Sequence, residues 1–264
     1  MNILDQIIER KKAEVLLAKN SVSLDTLQHM PLFGRICLKM LNFVTSPYRN
    51  GIIAEFKRAS PSKGMINQDA AVDVVVKGYE LAGASAVSVL TDSDFFHGSL
   101  DDLLLARQSL LIPLLRKDFI IDTYQIAEAK AHGADIILLI AAVLSPAEIN
   151  QLASYAKALG LNVLLEVHNR EELDRSLSEY VDAVGVNNRD LTDFSVSIDH
   201  SLELVDLIPA SFIKVSESGI SDPATINQLK KAGFDAFLIG ENFMKTNDPV
   251  RAIQSFTSQL NGES

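Results

Sequence analysis

Eight short β-rich runs recur along this chain from residue 52 onward, each followed by a stretch with helix signals, and that rhythm narrows the possible folds most. The runs are IIAEF (52–56), AVSVL (86–90), PLLRKD (113–118), DIILLI (135–140), NVLLEV (162–167), DAVGV (182–186), SFIKVS (211–216) and DAFLIG (235–240). Helix stops are visible between them: VDVVVKGYELAGA, TYQIAEAKAHGA, SPAEINQLASYAKALG and SDPATINQLKKAGF each carry a glycine at or near the end, the residue that best tolerates the left-handed turn there. The runs are near-continuously apolar instead of alternating, as strands covered on both faces of a parallel sheet are. Eight evenly spaced units with no switch point favour a closed α/β (β/α)8 TIM barrel over a doubly wound open sheet.

Before the first strand, Ile3, Leu4, Ile7, Ile8 and Val15 lie at helical spacing, and so do Leu32, Ile36 and Met40. These predict extra N-terminal helices over residues 1–50. The whole of 1–264 then reads as one barrel domain with a helical extension. Cys37, the one cysteine, falls in this extension and reads as a packing residue.

Composition excludes some functions. A net charge of -10 argues against nucleic-acid binding, which wants a basic face. A single thiol forms no internal disulfide, and no Cys/His cluster has zinc spacing. The longest apolar run, Ile136 to Leu144, falls well short of the ~20 residues that span a bilayer. No targeting segment is visible at the start. The expectation is a cytoplasmic protein with no membrane or nucleic-acid partner and no metal.

A barrel enzyme works at the C-terminal ends of its strands, so those ends should collect polar groups. Strand one leads into Glu55, Lys57 and Ser60, strand two into Thr91 and Phe96, and strand three into Lys117, Asp118 and Phe119. Glu166 ends strand five, Asn187 and Arg189 follow strand six, Glu217 and Ser218 end strand seven, and Glu241 follows strand eight. One lysine at a strand tip is usually solvated; several charges of both signs on one rim can tune each other for acid–base work. Gly219 and Gly240 come just after the last two strands, where barrels commonly bind phosphate on free backbone N–H groups. His97, His132 and His168 share no metal-ligand spacing and read as surface groups or groups behind the site. Asp92 and Asp94 read as loop charges, and Lys63 as either solvated or part of a loop over a substrate.

The motifs IIAEFKRASPSKG, SVLTDSDFFHGS, LLRKDFIID, LLEVH, VGVNNRDL, VSESGIS and FLIGENFM, with the opening ILDQIIERKKAEV, together resemble the indole-3-glycerol phosphate synthase family. The resemblance implies ring closure of 1-(2-carboxyphenylamino)-1-deoxyribulose 5-phosphate, with loss of carbon dioxide and water, in tryptophan biosynthesis. It implies no cofactor, and a monomer or homodimer. It implies Lys117 as the general acid, Glu166 as an acid–base group in the dehydration, Lys57 near the substrate carboxylate and Glu55 paired with a lysine. How proton transfers divide among these four stays open. Ser60, Asn187 and Arg189 would hold the substrate, Glu217 would support the site, and Phe96 and Phe119 would wall the aromatic ring. Ser218, Gly219, Gly240 and Glu241 would take the phosphate. Two rivals remain at this point: another phosphate-binding barrel enzyme, such as a sugar-phosphate isomerase, and a barrel that binds a phosphorylated metabolite without turnover.

Overall fold

A computed structural model describes residues 3–190, 195–260 and 262. Eight parallel strands follow one another around a closed ring: β1 Ile52–Phe56, β2 Ala86–Leu90, β3 Leu114–Lys117, β4 Ile136–Ile140, β5 Asn162–Val167, β6 Ala183–Asn187, β7 Ile213–Glu217 and β8 Ala236–Ile239. The last strand closes on the first, with Ile53 opposite Leu238 and Ala54 opposite Ile239. That closure decides between barrel and open sheet.

The pleat explains how one strand serves both core and site. Residues two apart share a face, so the inward rows of β1, β3, β5, β6 and β7 start apolar and end polar. Ile53, Leu115, Leu164, Ala183 and Val215 belong to one apolar cluster inside the barrel. Glu55, Lys117, Glu166, Asn187 and Glu217, two or four residues further along those same strands, line a cavity at the C-terminal end. The outward rows pack against the surrounding helices in a second, larger cluster that includes Ile52, Val87, Leu114 and Ile137.

The N-terminal segment behaves differently from the sequence expectation in one place. Helix α1 (Ile3–Ser21) forms as the spacing predicts and buries Ile7, Lys11 and Val15. Helix α2 (Leu24–Gln28) buries Leu27 against Tyr124, Ala127 and Ala131. No helix runs through Leu32 and Ile36: residues 30–35 form turns, the chain is irregular to 39, and α3 begins only at Met40 and ends at Val44. Ile36 is left 90% exposed. The cause is tertiary. Asp135, fully buried just before β4, takes the Leu38 N–H at 2.7 Å and the Arg35 guanidinium at 2.7 Å. Asn162, at the start of β5, donates to the Leu38 carbonyl at 2.8 Å. A helix would spend those backbone groups on itself, so the barrel's buried polar ends win over periodicity. Met40 and Val44 then join the inner apolar cluster and plug the end of the barrel opposite the cavity. Cys37 is buried, with Sγ 3.7 Å from the Ala134 carbonyl oxygen.

Candidate active site

The cavity at the strand tips has a volume of about 580 Å³ and is lined by every site residue that the sequence nominates, from Glu55 on β1 round to Glu241 after β8. Its floor is apolar, made by Leu138, Ile140 and Leu238 among others.

Two lysines meet three carboxylates there. Lys57 Nζ lies 2.8 Å from Glu55 Oε1. Lys117 Nζ lies 3.3 Å from Glu166 Oε2 and 3.8 Å from Glu217 Oε2. The other Glu166 oxygen accepts from Asn187 Nδ2 at 3.1 Å. Burial works against the charge on Lys117, but Glu166, Glu217 and Glu55 outweigh it and hold the ammonium above the ordinary lysine value. Burial also disfavours ionised Glu166, yet Lys117 and His168 win and keep its carboxyl below the usual range. Glu217 goes the other way: burial, then the Glu166 charge, push it up to about 8. Two like charges on one lysine cannot both ionise cheaply, so the proton collects on one of them.

Glycines make room for this cluster. A Cβ on Gly185 of β6 would stand 2.0 Å from Glu217 Oε1, and one on Gly240 would stand 2.5 Å from Glu55 Oε1. Gly240 therefore makes room for the Glu55 carboxylate.

One wall is aromatic. Phe96 and Phe119 lie 6.1 Å apart between ring centroids at 41° and both face the cavity. At the other end, Ser218 and Gly219 have φ of 70° and 75°. The short helix Glu241–Met244 makes its first internal bonds from Phe243 and Met244 N–H to the Gly240 carbonyl. The Glu241 and Asn242 amides precede those bonds. Ser60 lies in a two-stranded ribbon, Ala59–Ser60 with Gly64–Met65, whose connecting Pro61, Ser62 and Lys63 also line the cavity. Lys63 and Arg189 approach the Glu241 carboxylate at 3.9 and 3.5 Å.

Sequence reading missed the support that Lys11, Asp92 and Asn188 give this site and left the setting of His168 open. Asp92 is no loop charge: it is buried, caps the helix Ser93–Phe96 through the Phe95 N–H, and pairs with Lys11 of α1 at 2.9 Å. Lys11 Nζ also lies 2.9 Å from Asp118 Oδ1 and 2.8 Å from Glu14. Asp118, next to Lys117, is bound on its other oxygen by Arg116 at 3.1 Å and by Thr91. Burial alone would raise the Asp118 carboxyl, but Arg116 and Lys11 overcome it and bring it to about 2. His168 is half-buried between Glu166 and Glu172, so of its two expected settings it takes the one behind the site. Asn188, fully buried, donates to the Ser218 carbonyl at 3.1 Å and accepts from Ser201 Oγ at 2.8 Å. It braces the turn in which Ser218 takes positive φ. The NNRD run hinted at this asparagine; nothing in the string tied Lys11 to Asp92. Among the described residues no group of three or more His, Cys, Asp or Glu side chains gathers as a metal site.

A closed (β/α)8 barrel with lysine–carboxylate pairs on its rim and glycine turns after the last two strands defines a class of barrel enzymes acting on small anionic substrates. Solved structures agree at the level of fold. The chain is similar to 3-hexulose-6-phosphate synthase from Salmonella typhimurium, with a TM-score of 0.62 at 13% identity over 81% of this chain and 100% of that one. It is similar to the tryptophan synthase alpha subunit of Legionella pneumophila, with a TM-score of 0.61 at 12% identity over 85% and 96%. Sequence comparison goes further. The family model described as indole-3-glycerol phosphate synthase matches residues 4–256. Indole-3-glycerol phosphate synthases from Bacteroides thetaiotaomicron and Sulfurimonas denitrificans are 47% and 42% identical, over 98% and 96% of this chain and 99% and 97% of theirs. The chain belongs to the indole-3-glycerol phosphate synthase family, a family of carboxy-lyases of tryptophan biosynthesis.

Proposed function

We propose that this enzyme converts 1-(2-carboxyphenylamino)-1-deoxyribulose 5-phosphate to indole-3-glycerol phosphate, carbon dioxide and water, with the residue roles that follow. The observation that carries the reading is a charged Lys117 held between Glu166 and Glu217, with an aromatic wall on one side and the Ser218–Gly219 and Gly240–Glu241 turns on the other.

The substrate brings an aromatic ring, a carboxylate, a ketone and a phosphate. Phe96 and Phe119 stack along the ring, and Lys57 faces the carboxylate. The backbone amides of Gly219 and Glu241, with Ser218 and the open approach at Gly240, take the phosphate. Arg189, Asn187 and Ser60 hold the chain between these ends. Ring closure requires the aromatic carbon to attack the ketone, and negative charge grows on the ketone oxygen. The Lys117 ammonium meets that charge and donates a proton to it. The hydroxyl so formed leaves as water with Glu166 acting as acid and base. Glu217 supports Lys117, and Glu55 holds Lys57.

As carbon dioxide leaves, the electrons of its bond restore the aromatic ring; the ketone oxygen then takes two protons in becoming water, and only one is returned, from the neighbouring methylene carbon. Each turnover therefore takes up one proton from solvent, and groups with perturbed pKa on the rim supply it. The acidic, single-cysteine composition fits a cytoplasmic setting, as a monomer or homodimer.

The test is direct. Purified protein is mixed with the substrate without added metal, and indole fluorescence is followed. The wild type should produce indole-3-glycerol phosphate, and Lys117→Ala should turn over about 10²–10⁴-fold more slowly. A flat trace from folded wild-type protein refutes the reading.

A further inference from the structure

Glu166 has a neighbour that the reaction scheme leaves unused. His168 lies two residues on, past the end of β5, with its side chain 11% exposed. Its Nε2 is buried, has no hydrogen-bond partner among the described residues, and stands 3.6 Å from Glu166 Oε1. Its Nδ1 lies 3.2 Å from Glu172 Oε2, an oxygen that also accepts the His168 backbone N–H at 2.8 Å. Glu172 is itself placed by its helix: its N–H is capped by Asn169 at 2.9 Å. The imidazole is thus fixed from one side and aims its other nitrogen at the reacting carboxylate. It borders a second cavity of about 620 Å³, whose lining includes His168, Glu172, Arg189, His200 and Glu203.

We propose that His168 is a positioning residue for Glu166: its imidazolium, clamped by Glu172, holds Oε1 and keeps the carboxylate ionised opposite Lys117, and it exchanges its proton with solvent through the second cavity and not through the substrate mouth. The inference rests on the reading of Glu166 as the acid–base group. Glu166 then has a cation on each oxygen, Lys117 on Oε2 and His168 beside the Asn187 amide on Oε1. Such a sandwich matters in a buried site, where an unpaired carboxylate would take up a proton.

The charges facing the ring agree. Burial disfavours the imidazolium, but Glu172 and Glu166 raise His168 above its ordinary value against the opposing charge of Lys117. Arg175 lies beyond Glu172 and supports its ionised form. The second cavity is also lined by the charged or titratable side chains of Arg170, Arg189, Asp190, His200 and Glu203. His168 carries its charge below its folded pKa. Its support of ionised Glu166 is therefore full at acid pH and is lost as pH rises through that raised value.

The experiment measures kcat and KM from pH 5 to 9 for the wild type and for Glu166→Gln, His168→Gln, His168→Phe and Glu172→Gln, with imidazole added to His168→Ala. Glu166→Gln should be inactive; if it turns over normally, the reading of Glu166 fails, independently of His168. His168→Phe should lose roughly 10–100-fold in kcat at pH 6 with KM nearly unchanged, consistent with an opposite charge lost within about 4–6 Å. The limb of the profile that belongs to Glu166 should move up by about one pH unit or more in both His168→Phe and His168→Gln. Imidazole entering the second cavity should restore kcat to His168→Ala. His168→Gln keeps a donor without the charge and guards against a folding defect in His168→Phe. An inactive Glu166→Gln beside His168 variants with wild-type kcat and an unmoved limb overturns the proposal, as does the absence of imidazole rescue in folded His168→Ala.

Discussion

Lys11→Met tests whether α1 is part of the catalytic end of the barrel or only a cover. Lys11 is 1% exposed, and its ammonium sits 2.9 Å from both Asp92 and Asp118. Methionine keeps the apolar stem and removes the charge. Breaking a buried ion pair from one side costs about 3–5 kcal/mol, because the partner's charge is left without compensation. Asp118 keeps Arg116 at 3.1 Å, so most of the loss falls on Asp92 and the lower end applies, about 3 kcal/mol. For a chain of this size that is a fall in Tm of roughly 6–12 °C.

Urea or thermal unfolding at pH 7 reads the loss, and the double variant Lys11→Met/Asp92→Asn should recover about 1–3 kcal/mol of it, since both charges then go together. Acid should narrow the gap. Asp118 is depressed to about 2 in the folded protein, partly by Lys11, and such a carboxylate contributes stability above its unfolded value that is lost as pH falls towards the folded one. The difference between Lys11→Met and wild type should therefore shrink between pH ~4 and ~2. Catalysis should suffer too, because Asp92 caps the helix that presents Phe96 and Asp118 adjoins Lys117. A Tm change under about 2 °C, or strict additivity with Asp92→Asn, would refute the reasoning.

The remaining predictions concern the rim. Glu217, raised to about 8, binds its proton more tightly when folded, so wild-type stability should fall as pH rises from the ordinary glutamate value to about 8; Glu217→Gln removes this titration, and its Tm relative to wild type should climb over that window in thermal scans. Gly219→Ala would force a non-glycine residue to φ 75° and set its Cβ 2.3 Å from Val196 Cγ1; it should raise KM and weaken inhibition by inorganic phosphate, with a smaller effect on kcat.

Much of this was legible in the string because one signal served twice. A parallel strand covered on both faces reads as an apolar run, and the polar residue that breaks the run marks the strand tip. Glu55 and Glu166 are such breaks, Lys117 and Glu217 follow earlier polar residues to the tips of their strands, and the cavity collects all four. What stayed hidden depends on contacts between distant segments. Lys11 stands on α1's apolar stripe, four residues from Ile7 and from Val15, but only the folded chain brings it to Asp92 and Asp118. The apolar spacing of Leu32, Ile36 and Met40 misled for the same reason: Asp135 and Asn162, 97 and 124 residues after Leu38, capture its backbone N–H and carbonyl.

The excess of carboxylates over lysines on the rim looks unsuited to a substrate that carries a carboxylate and a phosphate. The proton on Glu217 resolves it. With Glu217 neutral, Lys57 and Lys117 balance Glu55 and Glu166. The anionic substrate then enters a rim without net repulsion, and each lysine is already aimed by its partner. Pairing orders the ammonium groups before substrate arrives, which spares side-chain entropy at binding. It also keeps Lys117 charged despite burial. An acidic protein thus presents a locally neutral, preorganised acid to an anion, and the third carboxylate serves that arrangement by staying protonated.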